Sequence, residues 1–183
     1  GVAGDDTIKA VGVNSVVVTV SGGDGNDTLD LSGMSDSAYG YTTPNDVETV
    51  IGTNYSDTIN GRPNAPTTII GGNGHDNLTG GSMDGRLEGG PGDDSLSGGA
   101  GNDVLLAGDG SDTVRPGTGG GIADGGAGTD WLDFVGISAS VEANLATGEG
   151  QVGGVPLTIN SFMHVIGGNG DDTLVGDGDG NIL

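Results

Sequence analysis

The sequence predicts an all-β fold, a right-handed parallel β-roll or β-solenoid in which two nine-residue half-turns complete each coil of 18 residues. Residues 71–133 divide without insertion into seven units of nine, which tend to carry Gly at positions 1, 2 and 4, Asp at 6 and an aliphatic residue at 8. No segment has convincing helical periodicity. Glycine supplies 42 of 183 residues without a collagen period. The units read GGNGHDNLT, GGSMDGRLE, GGPGDDSLS, GGAGNDVLL, AGDGSDTVR, PGTGGGIAD and GGAGTDWLD.

Within a unit, the first six residues predict a glycine-rich turn and the last three predict a short strand. Side chains alternate along a strand, so position 8 points into the roll and positions 7 and 9 point outward. One buried aliphatic side chain contributes about 1.5–3 kcal/mol, whereas ordering one residue's backbone costs about 1–2 kcal/mol. The aliphatic ladder therefore cannot fold these short units alone. The ladder consists of Ile8, Leu29, Ile59, Leu78, Leu87, Leu96, Leu105, Val114, Leu132 and Leu174.

We expect a single domain over residues 1–183, with clean repeats at 71–133 and longer coil excursions at 10–21, 31–51 and 134–166. The first excursion contains the strand-like segment VNSVVVTV. We assume that each excursion replaces one half-turn. The chain opens inside one repeat-like unit, GVAGDDTIK, and stops inside another, GDGDGNIL. We therefore interpret it as part of a longer polypeptide.

Position-6 aspartates are distributed unevenly between the two sides of the predicted roll. Every second half-turn lies on the same side, and on this assumption eight aspartates share one side. These are Asp6, Asp27, Asp57, Asp76, Asp94, Asp112, Asp130 and Asp172. On the opposite side, only Asp103 is an aspartate at position 6. Other units on that side carry Gly85, Gly121 and Asn181 at this position. The sequence thus predicts a mainly one-sided row of carboxylates.

The charge of the chain restricts its partners. Its formal net charge is −22 with only four Lys and Arg, so it repels itself when compact and needs cations to fold. Nucleic acid is excluded as a partner because phosphate binding requires Lys and Arg. No apolar run is long enough to predict membrane insertion. The absence of cysteine excludes disulfides and thiolate metal sites.

The repeated GGxGxD pattern resembles the RTX (repeats-in-toxin) family of calcium-binding nonapeptide repeats. The resemblance implies that Ca²⁺ lies between turns stacked 18 residues apart. Its ligands would be carbonyls at positions 2 and 4 of one turn, carbonyls at positions 1 and 3 of the next, and both position-6 carboxylates. Three such sets are Gly72, Gly74, Asp76, Gly89, Pro91 and Asp94; Gly90, Gly92, Asp94, Ala107, Asp109 and Asp112; and Gly108, Gly110, Asp112, Gly125, Ala127 and Asp130. We expect about four to seven Ca²⁺ in total.

The charge and the aspartate spacing favour a non-catalytic calcium-binding module, and the resemblance implies that it belongs to a secreted bacterial protein, extracellular or at the cell surface, and folds on extracellular Ca²⁺. One alternative is a carbohydrate-binding or surface-binding accessory module with a polysaccharide or cell-surface ligand, for which only Trp131 provides an exposed-aromatic candidate. Another is a metal-free acidic solenoid. An enzyme resembling calcium-dependent β-helix lyases would need a basic residue beside a calcium ion. Arg86 and Arg115 are the only arginines in the clean repeats, and the sequence supplies no partner set for either.

Overall fold

Two sheets form the opposite walls of the molecule. The computed structural model describes residues 3–12, 20–37 and 40–183, and it confirms the all-β solenoid. In spatial order, the eleven strands of sheet A are β1 (Thr7–Gly12), β2 (Thr28–Met34), β4 (Thr49–Ile51), β6 (Thr68–Ile70), β8 (Arg86–Pro91), β10 (Asp103–Gly110), β12 (Gly121–Gly128), β16 (Val155–Asn160), β15 (Glu149–Val152), β14 (Val141–Asn144) and β18 (Thr173–Val175). The seven strands of sheet B are β3 (Tyr41–Thr42), β5 (Thr58–Asn60), β7 (Asn77–Thr79), β9 (Ser95–Ser97), β11 (Thr113–Arg115), β13 (Trp131–Asp133) and β17 (His164–Ile166). The described residues contain no helix of the length and apolarity needed to cross a membrane.

The register of the parallel strands shows the predicted repeat of 18 residues. In sheet B, Leu96 pairs with Leu78 on one side and with Val114 on the other. In sheet A, Leu105 pairs with Leu87 in the same way. Equivalent positions of successive coils therefore lie directly above one another.

The core is built around two ladders of aliphatic side chains, one from each sheet, with further buried side chains such as Phe134 and Phe162 beside them. Short strands with alternating side chains leave one inward residue per half-turn, which explains why the core is so narrow. Position 8 fills it as predicted, although Ile8 and Leu174 are only partly buried. The residues of the sheet A ladder are Leu29, Val50, Ile69, Leu87, Leu105, Ala123 and Ile159, and those of the sheet B ladder are Ile59, Leu78, Leu96, Val114, Leu132 and Val165.

The second excursion, residues 31–51, contains two half-turns and not the single one assumed. Its first half-turn supplies β3 to sheet B and its second supplies β4 to sheet A. The unit before this excursion leads into β2 in sheet A, and the unit after it leads into β5 in sheet B. With the single half-turn that we assumed, both units would lead into the same sheet. In the first excursion, most of the segment VNSVVVTV lies outside the described residues.

The third excursion, residues 134–166, also spans two half-turns. On the sheet A side, β14, β15 and β16 form an antiparallel meander, and β16 pairs in parallel with β12. On the sheet B side, β17 pairs in parallel with β13. The chain then returns to sheet A, where β18 pairs in parallel with β14. This excursion therefore changes the side on which the last units lie.

The ladder predicts a large difference between inward and outward leucines of the repeats. Leu96→Ala should lower the free energy of unfolding by about 2–5 kcal/mol, since it removes a fully buried side chain from a one-residue-wide core. Leu106→Ala is the matched control, because Leu106 points outward and is only half-buried; we expect about 1 kcal/mol. Urea unfolding in saturating calcium measures both. Equal losses would contradict the two-ladder core.

Candidate metal centres

Five position-6 aspartates form one continuous stack, which we call the aspartate row. Its members lie directly before β5, β7, β9, β11 and β13, and each is at most 3% exposed. Parallel pairing of these strands brings carboxylates 18 or 19 residues apart in sequence into adjacent coils. The row consists of Asp57, Asp76, Asp94, Asp112 and Asp130.

Three other predicted members do not belong to this row. Asp6, Asp27 and Asp172 precede β1, β2 and β18, all in sheet A, and so lie on the same side as Asp103. The prediction that all eight aspartates share one side is therefore wrong. The physical reason is that the second and third excursions each contain an even number of half-turns, which exchanges the sides of the units that they separate.

In Asp76, Asp94, Asp112 and Asp130, one carboxylate oxygen ties its turn to the preceding coil. The backbone N–H of Asp57 donates to Asp76 Oδ1 at 2.8 Å, and that of Asp76 donates to Asp94 Oδ1 at 2.7 Å. The same bond continues to Asp112 and Asp130 at 2.7 and 2.8 Å. On the other side of the roll, the N–H of Asp6 donates to Asp27 Oδ1 at 2.8 Å. Each carboxylate thus points into the gap between two stacked turns.

The second carboxylate oxygen of most of these residues is buried and has no hydrogen-bond partner. Within the described part of the chain this holds for Oδ2 of Asp27, Asp76, Asp94, Asp103, Asp112 and Asp130. Asp57 differs, because its Oδ2 accepts the N–H of Thr53 at 2.6 Å and its Oδ1 accepts the Thr53 hydroxyl at 2.9 Å. Buried polar atoms are normally satisfied. The orphaned oxygens therefore indicate places suited to a cation.

Backbone carbonyls face the same gaps. Gly90 has φ +116°, and a Cβ placed on it would lie 2.1 Å from the carbonyl oxygen of Gly72, so that carbonyl points at the following turn. From the following turn, the carbonyls of Gly89 and Pro91 accept the N–H groups of Gly72 and Gly74 at 3.0 and 2.9 Å and so point back. A carbonyl oxygen has a second lone pair that can bind a cation.

The six groups of the first predicted ligand set thus belong to two turns that face one gap. In the second set, the carbonyls of Gly90 and Gly92 point at Gly108 and Gly110 of the next turn. In the third set, those of Gly108 and Gly110 point at Gly126 and Gly128. The structure brings the turns of each set together, and their coordination of calcium remains a prediction.

Burial makes Asp76, Asp94, Asp112 and Asp130 resist ionisation when no cation is present. It raises the pKa of Asp76 and Asp112 to about 6 and that of Asp94 to about 7, and the charges of neighbouring aspartates add to the rise. Backbone N–H donors act in the opposite direction without cancelling the effect of burial. Burial raises the pKa of Asp103 to about 6 in the same way. A bound cation would stabilise the ionised form of these groups.

The donors suit calcium better than a softer metal. Ca²⁺ takes six to eight oxygen ligands from carboxylates and carbonyls, and both kinds of oxygen line the gaps of the row. The described residues contain no cluster of three or more His, Cys, Asp or Glu side chains that could hold a metal ion. Cysteine and imidazole sites typical of zinc are therefore not found in this part of the chain. Two carboxylates face each gap, and each inner carboxylate is shared by two gaps, so the acids of the row balance part of the charge of the ions and carbonyl oxygens supply further ligands.

Stacked glycine-rich turns, short parallel strands and paired carboxylates define a calcium-binding β-roll. A family model described as the RTX calcium-binding nonapeptide repeat (4 copies) matches residues 18–37, 68–87, 79–114, 88–122 and 164–183. These ranges cover just over half of the chain, and the chain belongs to this family. No curated protein sequence matched the chain.

Two residues of the site region were missed by the sequence reasoning. Glu48 directly precedes β4 and takes the place of a position-6 aspartate, since the N–H of Asp27 donates to its Oε2 at 2.7 Å. The signal was present, because the acid followed by Thr and an aliphatic residue in Glu48–Val50 mirrors Asp27–Leu29. Arg62 follows in the next turn on that side, and its side chain is buried.

Acidification should favour the folded state of the calcium-free protein. The pKa values of Asp76, Asp94 and Asp112 lie above the ordinary 3.8, so these groups destabilise the folded state at neutral pH and do so less as the pH falls toward 4. Lys9 lowers the pKa of Asp30 to about 2, so that pair persists in this window. In chelator we expect more β structure by far-UV circular dichroism at about pH 5 than at about pH 8. An unchanged or weaker signal at the lower pH would contradict this account.

Proposed function

We propose that the chain is the calcium-responsive folding module of a secreted bacterial protein, extracellular or at the cell surface. In calcium-poor surroundings, repulsion among the carboxylates that folding would bury disfavours the folded state, and the module stays unfolded. At extracellular calcium concentrations, ion binding drives it to fold. Ligands that bind only the folded state stabilise it by mass action. The observation that carries the proposal is the series of buried, partnerless carboxylate oxygens in gaps lined by carbonyls.

The proposed ions lie mainly on one side of the roll. The four gaps between successive members of the aspartate row each contain two carboxylates, and the gap between Asp6 and Asp27 on the other side contains two more. About four to seven Ca²⁺ is the count expected from such gaps. Asp103 has no carboxylate at the equivalent position of either neighbouring coil. Gly121 pairs with Asp103 on one side, and Gly85, which precedes the Arg86 that pairs with Val104, lies on the other. We therefore expect a weaker site there.

The ion pairs of the basic residues support a non-catalytic role for the module. All four Lys and Arg side chains of the chain are engaged with acids, as Lys9–Asp30, Arg62–Glu48, Arg86–Glu88 and Arg115–Asp133. Trp131 contacts His164, with ring centroids 4.4 Å apart and ring planes tilted by 51°, so this aromatic side chain already has a partner within the protein. No observation on the described surface favours a carbohydrate ligand over calcium alone.

A calcium titration tests the folding response. We expect a cooperative coil-to-β transition by far-UV circular dichroism at about 0.1–1 mM Ca²⁺, the range of extracellular modules. Calorimetry should give about four to seven ions per chain. A chain that is already folded in chelator would contradict the proposed folding response. About ten or more Ca²⁺ per chain would show that both sides of the roll bind equally.

A pair of adjacent aspartates separates metal binding from ordinary structural support. Asp94→Asn keeps an oxygen that can accept the Asp76 N–H but removes the charge shared by two gaps. We expect its calcium midpoint to rise about tenfold or more, equivalent to about 1.4 kcal/mol. In chelator the same variant should be more stable than the wild type, because a buried charge is gone.

Asp93→Asn is the matched control for that variant. The Asp93 carboxylate is exposed and accepts the Ser111 N–H through Oδ1, outside the gap. Its calcium midpoint should stay close to that of the wild type. A merely structural role of Asp94 would instead lower stability both in chelator and in calcium.

A further inference from the structure

One buried arginine lies between two stacked turns on the sheet A side. Arg62 is only 6% exposed, although arginine is almost never buried without partners. Its Nη1 donates to Glu48 Oε1 at 2.7 Å and to the carbonyl of Asn45 at 3.1 Å. Its Nη2 donates to the carbonyl of Pro66, and its Nε donates to Thr67 Oγ1 at 3.4 Å. A carboxylate, two carbonyls and a hydroxyl therefore surround the guanidinium.

Glu48 occupies the same place in its coil as an aspartate of the row. It directly precedes β4, and its Oε2 accepts the N–H of Asp27, just as Asp94 Oδ1 accepts the N–H of Asp76. The two residues differ in the second oxygen. Asp94 Oδ2 has no partner, whereas Glu48 Oε1 is bound by Arg62. The guanidinium thus contacts the oxygen that remains orphaned in the row.

The charges in the gap between the turns before β4 and β6 match a monovalent cation. The turn before β4 contributes the Glu48 carboxylate, and the turn before β6 has neutral Thr67 at the position directly before its strand. One carboxylate faces one guanidinium here, whereas two carboxylates face each gap of the aspartate row. Asp103 is a lone carboxylate without an arginine, and its Oδ2 has no partner. A single acid does not by itself bring an arginine into the gap.

We propose that Arg62 is a built-in cation that replaces Ca²⁺ in the gap between the turns before β4 and β6. The inference rests on the proposed function, since it assigns to a side chain the role that calcium has in the aspartate row. A guanidinium is permanently charged and presents five N–H donors in a fixed plane, so it can bind several converging oxygens at once. Arg62 therefore occupies this gap in place of a metal ion. The gap then adds nothing to the number of Ca²⁺ bound per chain.

Calorimetric ion counting tests the replacement directly. The variant R62G/T67D removes the guanidinium and restores a second carboxylate, and we expect it to bind one Ca²⁺ more than the wild type. The single variant T67D is its control, because it adds the carboxylate but keeps Arg62; its count should equal that of the wild type. An equal count in R62G/T67D, or an extra ion in T67D, would overturn the proposal.

Thermal unfolding in saturating calcium provides a second test that does not depend on the double variant folding. R62M removes the buried guanidinium, leaves the part-buried Glu48 carboxylate and two carbonyls without their charged partner, and should lower the Tm by at least about 6 °C. R86M breaks the part-exposed pair with Glu88 and should lower it by about 3 °C or less. Equal shifts would overturn the proposal. A wild type that binds no calcium would instead defeat the proposed function, and these two Tm values would still report on the role of Arg62.

Discussion

The crowding of buried carboxylates is the constraint on which the rest of the structure depends. Parallel stacking places the members of the aspartate row in successive coils, with one oxygen of most of them bound to a backbone N–H and the other without a partner. Water would solvate these groups in an unfolded chain. The two one-residue ladders of the core offer little apolar burial to offset their desolvation. Cations in the gaps are the natural source of the missing stabilisation.

The local unit was predictable from sequence because it is dictated by local chemistry. Glycine at positions 2 and 4 allows the positive φ that the turns adopt, as at Gly90 and Gly92. An aliphatic residue at position 8 places Leu96 and its equivalents in the core. Asp at position 6 of the turn identified the candidate ligands. These features act within nine residues, and repetition made them visible.

The side on which each unit lies could not be predicted in the same way. It depends on whether an excursion contains an odd or an even number of half-turns, and excursions lack the glycine pattern that would reveal them. The half-turn leading to β3 and the meander of β14, β15 and β16 carry no GGxGxD motif. Arg62 was missed for a related reason, since its partner Glu48 lies inside such an excursion.

The two-sheet arrangement restricts how repeats of this kind can change in number. A single inserted nine-residue unit would transfer every downstream turn to the other wall and interrupt the row of carboxylates at the insertion, although the turns beyond it would keep one another as partners. An inserted pair of units would leave every later contact intact and lengthen the stack by one coil. An uninterrupted row of carboxylates therefore grows or shrinks in steps of eighteen residues, whereas a change of nine residues divides it between the two walls, as the two longer excursions do in this chain.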